Sequence, residues 1–267
     1  MKIYVICKME GIGGIIDFNR QCLPAGSYYE QARKLATLEL NALVNGVLEA
    51  GATEVHVWDG QGSFPGCLDY DLVHTEAEVI TGTGESGPVG LDSSYNALFQ
   101  LGLHARAGTP GAVLAHSFTS RIKECTVNGI PVGDIWMNCY LAGSLGIPCV
   151  FLSGDRAAVL EAEALIPEIE TVEVKKSLSK NAVDLSLCPV RSLSAVKSRQ
   201  LIYKKARQAM KKIGVVKPFQ AEPPFKLRTV FQDHDTAQRA ASRNGILLSD
   251  EFTVETISDN FPRLITG

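Results

Sequence analysis

Hydrophobic positions change period repeatedly along the first 155 or so residues. Ile3 to Cys7 is a continuous apolar, β-branched run between Lys2 and Lys8, the pattern of a short buried strand. The polar turn from Lys8 to Gly14 follows it. From Tyr29 to Ala50, residues Ala32, Leu35, Ala36, Leu40, Leu43, Val44 and Val47 recur at helical spacing, and Gly51 supplies a stop. Glu54 to Trp58 predicts a second strand, ending in Asp59-Gly60-Gln61. Glu78 to Thr81 predicts a third, leading into a Gly-rich loop over 81–88, and Ala97 to Leu103 a fourth, ending in His104-Ala105-Arg106. Asp134 to Gly143 reads as a helix and Cys149 to Ser153 as a fifth strand. Strands that end in polar, Gly-containing turns and feed helices predict an α/β fold, a mostly parallel sheet flanked by helices. Ligands of such sheets sit beyond the carboxyl ends of the strands.

The texture changes after about residue 190. Ser192 to Lys212 predicts a basic amphipathic helix, with Leu201, Ile202, Ala206, Ala209 and Met210 on its apolar side. Its lysines read as a solvated face. Pro218, Pro223 and Pro224 mark a linker, and Phe225–Phe231, Asp235–Arg243 and Phe252–Ile257 read as strand, helix, strand. The expected organisation is an α/β catalytic-type domain over residues 1–190 and a smaller α+β domain over 191–267.

Composition narrows the function classes. The 267 residues are 45% hydrophobic and 21% charged, ordinary for a globular protein. With 26 basic against 29 acidic residues the formal net charge is -3, which argues against a nucleic-acid partner. No apolar run approaches the ~20 residues of a membrane span. The N-terminal run passes straight into Lys8 and Glu10 and reads as a first strand, not a signal peptide. Seven cysteines without CxxC pairing suit reduced thiols, and hence a cytoplasmic location.

The candidate chemistry lies at the strand ends. Lys8-x-Glu10, Asp59-Gly60-Gln61 and His104-Ala105-Arg106 should converge on one rim, with His116 and Asp134 a few residues further on. Taken singly, each has an ordinary structural reading: His104 as a satisfied strand-end histidine, Glu10 as a cap of the next segment. Together, carboxylates, two histidines and a lysine on one rim are what a hydrolytic or metal site needs.

Several stretches carry a more specific signal. Met9-Glu10-Gly11-Ile12-Gly13-Gly14, the run from Leu101 to Gly111 around His104, Ala115-His116-Ser117 and the run from Val127 to Asp134 resemble the D-aminopeptidase family of zinc peptidases. So do Asn138 to Gly143 and Ser153 to Ala158, the likeness running in order over about residues 1–180. The resemblance implies a two-domain α/β subunit, a homo-oligomeric ring, and a pair of zinc ions held by carboxylates and histidines. It also implies a separate catalytic histidine at His116, and removal of an N-terminal residue, often a D-amino acid or Gly, from a short peptide.

Against that pattern this chain departs at three ligand positions. The family opens with Asp-x-Glu-Gly, and here the Asp position is Lys8 while Glu10 is kept. A histidine ligand after the second strand is replaced by Gln61, and a glutamate is shortened to Asp134. A protonated ammonium is no ligand, and ~4 Å from a dication it costs several kcal/mol even at an effective dielectric near 20. Gln is a poor zinc ligand beside His. Two zinc ions are therefore not expected. Glu10, His104 and Asp134 could hold one metal, or the Lys8 ammonium could take the metal's place and leave none.

Two functions follow. One is an aminopeptidase-like amide hydrolase with altered or reduced metal use, with His116, Lys8 and Glu10 as catalytic candidates and Gln61, Arg106 and Asn138 as candidates for contacting a small peptide or amino-acid-derived substrate. The other is a metal-free relative that binds such a ligand or runs a different reaction through Lys8.

Overall fold

A computed structural model describes residues 1–82, 87–180, 185, 187–244 and 247–261. Residues 83–86 of the predicted Gly-rich loop lie outside the described residues. In chain order the elements are β1 (Lys2–Cys7), α1 (Tyr29–Glu49), β2 (Glu54–Asp59), β3 (Ala77–Ile80), β4 (Ala97–Leu103), β5 (Ile122–Val127), β6 (Ile130–Pro131), α2 (Asp134–Ser144) and β7 (Cys149–Asp155). There follow α3 (Arg156–Leu165), β8 (Glu170–Ser177), β9 (Val190–Ser192), α4 (Ala195–Met210), β10 (Phe225–Phe231), α5 (His234–Asn244), β11 (Leu247–Leu248) and β12 (Thr253–Ser258).

The larger sheet has the order β3-β2-β1-β4-β7-β8-β9. All its pairings are parallel except β8 with β9. Every residue of β4 and of β7 is buried, as central strands covered on both faces must be. From β1 the chain moves outward through α1 to β2 and β3, and then returns to β4 and moves the other way through α2 and α3 to β7 and β8. Right-handed crossovers in opposite directions put α1 on one face and α2 and α3 on the other. The order therefore reverses between β1 and β4, and the connections leaving their carboxyl ends run to opposite faces of the sheet, which leaves a crevice there.

The smaller sheet, β11-β12-β10-β5-β6, is antiparallel throughout. Its core is aromatic: Trp136 and Tyr140 of α2 pack with Phe219, Phe225 and Phe261. The expected division after residue 190 falls inside β9 and does not coincide with the boundary between the two sheets. The smaller sheet takes β5 and β6 from the middle of the chain, and α4 packs on α1 and β8 of the larger layer. The β5–β6 hairpin turns on Asn128 and Gly129, both at positive φ (53° and 80°). An Asn-Gly pair is the standard sequence mark of such a turn.

Candidate active site

Two glycines bring the ends of β1 and β4 into contact. A Cβ on Gly102 would stand 2.1 Å from the Lys8 carbonyl oxygen, and one on Gly11 would stand 2.0 Å from that of Leu103. Gly102 also sits at φ +71°, where other L-residues are strained. The Gly11 N–H donates to the Gly102 carbonyl at 2.7 Å. This approach delivers Lys8, Glu10 and His104 to one point.

There the Lys8 ammonium forms an ion pair with Asp134 and lies 3.4 Å from His104 Nε2. Asp134 opens α2, where its charge also suits the positive end of the helix. Its second oxygen accepts the Phe118 N–H at 2.7 Å, and His104 Nε2 lies 3.5 Å from the first. Phe118 holds a positive φ of 60° and Leu114 one of 59°. Non-glycine residues in that region carry strain, which collects at functional loops. Between them His116 donates through Nδ1 to the Leu114 carbonyl (3.0 Å) and stacks on His104 with ring centroids 3.7 Å apart. His104 donates through Nδ1 to the Ala105 carbonyl. Nδ1 is engaged in each ring, and the Nε2 of His104 faces Lys8 and Asp134.

Gln61 takes a bridging position. Its Oε1 accepts the Met9 N–H (2.9 Å), which aims its amide nitrogen at Glu10 Oε1 (2.8 Å). The other Glu10 oxygen, Oε2, is buried and has no hydrogen-bond partner among the described residues. Asp59, by contrast, is used within its own loop, accepting the N–H groups of Cys67 and Leu68.

Charge is balanced inside the cluster. Burial opposes ionisation of Asp134, but Lys8 and then His104 hold its carboxyl well below the usual range. Glu10 is lowered in the same way, with burial overcome by Lys8 and His104. Burial also opposes the Lys8 charge, and Asp134 and Glu10 overcome it and raise the group. Burial and Lys8 push the His104 imidazole down, yet Asp134 and Glu10 lift it above its ordinary value. His116 goes the other way: burial, then His104, press it down to about 4. Two anions thus face an ammonium and an imidazole drawn towards its charged form, with a neutral His116 beside them.

This donor set does not fit a pair of zinc ions. Lys8 already holds the Asp134 oxygen and lies against the His104 nitrogen that a metal would use. Gln61 holds one Glu10 oxygen, leaving Oε2 as the free carboxylate atom. Among the described residues no three His, Cys, Asp or Glu side chains are arranged to hold one metal ion.

The remaining sequence candidates are placed as follows. Arg106 pairs with Glu161 through its guanidinium (3.4 Å) and its N–H (2.9 Å). Asn138, one turn beyond Asp134, donates to Gln100 Oε1 at 2.9 Å within the core. Two contributors were not picked out from sequence. They are the Phe118 N–H, whose signal is only the turn after His116, and Lys175, which binds the carbonyls of Glu10, Ile12 and Ile15 from behind.

Comparison with known proteins agrees with this architecture. The family Peptidase_M55, described as D-aminopeptidase, matches residues 1–266. The D-aminopeptidase of Bacillus subtilis (strain 168) is 33% identical over 243 residues, covering 90% of this chain and 85% of that protein. The solved structure of the Zn-dependent D-aminopeptidase DppA from Bacillus subtilis, a self-compartmentalizing protease, superposes with a TM-score of 0.88 at 31% identity, covering all of this chain and 94% of that one. With the family matched from end to end and the two-sheet fold shared, this chain belongs to the D-aminopeptidase family of peptide hydrolases.

Proposed function

We propose that this chain hydrolyses the N-terminal amide bond of short peptides with the Lys8 ammonium in the role of a metal charge. The observation that carries this is the Lys8–Asp134 ion pair, which puts a fixed cation among the groups that would otherwise gather a dication. In this reading Lys8 faces the carbonyl oxygen of the scissile amide and stabilises the oxyanion that forms there. His116 Nε2, neutral over the physiological range, takes a proton from the attacking water and passes it to the departing amine as the C–N bond breaks. The free Glu10 Oε2 accepts a hydrogen bond from the substrate's α-ammonium. Gln61 holds Glu10, and Asp134 with His104 holds Lys8.

The ordered frame and the self-compartmentalizing relative support a homo-oligomer, a ring in the extended form of the reading. No helix among the described residues is long and apolar enough to cross a membrane. A cytoplasmic location rests on the free cysteines.

The test is hydrolysis of short peptides beginning with Gly or a D-residue, by protein stripped of metal with a chelator. The stripped protein should remain active, and Lys8→Met should lose about a hundredfold or more in kcat, the scale of removing one oxyanion-stabilising group. Activity that vanishes on stripping and returns with zinc would remove Lys8 from this role. No hydrolysis in any state would remove the hydrolase reading itself.

A further inference from the structure

Behind the site lies a second buried charge that the proposed chemistry does not use. Lys175 of β8 is 1% exposed. Its ammonium donates to three backbone carbonyls, those of Glu10, Ile12 (3.0 Å) and Ile15, and among the described residues to no carboxylate. The loop after β1 therefore curls around one point, with its carbonyls turned inward.

The same loop is gripped through its amides. Gly13 N–H donates to Glu39 Oε1 (3.2 Å), and Gly14 N–H donates to Ser192 Oγ (2.9 Å). Ser198 Oγ in turn donates to Glu39 Oε1 at 2.5 Å. The holding groups come from β8, α1, β9 and α4, so four elements that contribute nothing to the front of the site fix the segment carrying Glu10. Burial presses the Lys175 ammonium down to about 8, which leaves it charged at neutral pH.

Glu10 is thus held twice. Gln61 fixes its side chain from the front, and Lys175 fixes its carbonyl from behind. A space-filling role alone would not need the charge, because an apolar chain of similar length packs as well without a desolvated ammonium. What the ammonium adds is direction, since three carbonyls can meet one Nζ only when the loop takes this shape.

We propose that Lys175 is the positioning residue for Glu10, collecting the carbonyls of Glu10, Ile12 and Ile15 so that the Glu10 carboxylate stays fixed at the end of β1 against Gln61. The kinetic consequence rests on the hydrolase reading; the structural consequence does not.

Lys175→Met and Lys175→Gln in the intact protein test it by three readouts. These are amide hydrogen exchange over residues 9–16 against the rest of the chain, the imidazole NMR signals of His104 and His116, and kcat with KM for peptide hydrolysis. In Lys175→Met, exchange over 9–16 should speed up about tenfold or more while the rest stays within about twofold. The two imidazole signals should shift as Glu10 moves. The kcat should fall about tenfold or more with KM within about threefold, the signature of lost alignment. Lys175→Gln, which keeps a donor on a shorter arm, should fall between, and it carries the test if the Met variant does not fold. Unchanged exchange over 9–16 in a folded variant overturns the proposal. So does faster exchange spread evenly over the chain, or a failure of both variants to fold, since either makes Lys175 a general stability residue. If the wild-type protein hydrolyses nothing, the hydrolase reading fails, while the exchange and NMR readouts still decide the role of Lys175.

Discussion

Lys8 and Asp134 explain one another. A buried carboxylate at the start of α2 needs a cation, and an ammonium 11% exposed needs an anion. The pairing is visible in sequence only as a lysine where the family pattern has an aspartate, yet that one substitution sets the charge of the whole cluster. Buried charges elsewhere leave a measurable trace. Glu39 of α1 is lifted from 4.5 to about 7, chiefly by burial. The folded chain therefore keeps a proton there that the unfolded chain has released between those pH values. The associated stability is full below about pH 4.5 and is lost as pH rises through about 7, a change of about 3 kcal/mol. Denaturant unfolding of wild type and Glu39→Gln at pH 5 and pH 8 checks this. The wild-type protein should lose the larger amount of stability, by a few kcal/mol, and equal losses would contradict the assignment. Lys175 is not legible in the sequence, and the burial of Glu39 is signalled only by its apolar neighbours Leu35, Ala36, Ala42 and Leu43, one turn away in the same helix. Lys175 ends the run Val172-Glu173-Val174-Lys175, where alternation suggests a half-exposed strand, and only the loop folded over it makes it buried.

Strands β1 and β4 were legible from their apolar runs, and so was the arrival of Lys8, Glu10, Gln61 and His104 at one rim. A strand's end is where its apolar run stops, and parallel strands share an end. The β5–β6 hairpin is faint in the sequence because its strands alternate only weakly. Its Asn-Gly turn was the available signal. That hairpin pairs with β10 and so ties the middle of the chain to the expected C-terminal part. The contact between β1 and β4 makes a sharper demand. At Gly102 an added Cβ meets the Lys8 carbonyl and also strains a positive φ. Gly102→Ala should cost about 2–5 kcal/mol, from the left-handed conformation and the overlap together. It should also lower hydrolysis more than tenfold, because the ends bearing Lys8 and His104 must move apart. Thermal unfolding and peptide hydrolysis of the variant check both, and a fully stable, fully active Gly102→Ala protein would contradict this account of the crevice.

The two sheets form one frame around a charge-balanced cluster, and in the proposed function the family's reaction is set into that frame with Lys8 as the cation. The proposed homo-oligomer rests on the self-compartmentalizing relative and is tested on this chain directly. Light scattering at micromolar concentration should give a mass several times the 28.8 kDa of one chain, and a monomer mass would contradict the oligomer. How the cluster is neutralised is the point on which everything else turns. A pit of carboxylates and imidazoles gathers dications only when no other cation is present, and here Lys8 is covalently fixed in it. Elemental analysis of the purified protein, set beside the double variant Lys8→Asp, Gln61→His, puts this to the most direct test. The natural chain should carry zinc well below one equivalent, and the double variant should take up tightly held zinc because both missing ligands are restored. Two equivalents of tightly bound zinc in the natural chain would contradict the account.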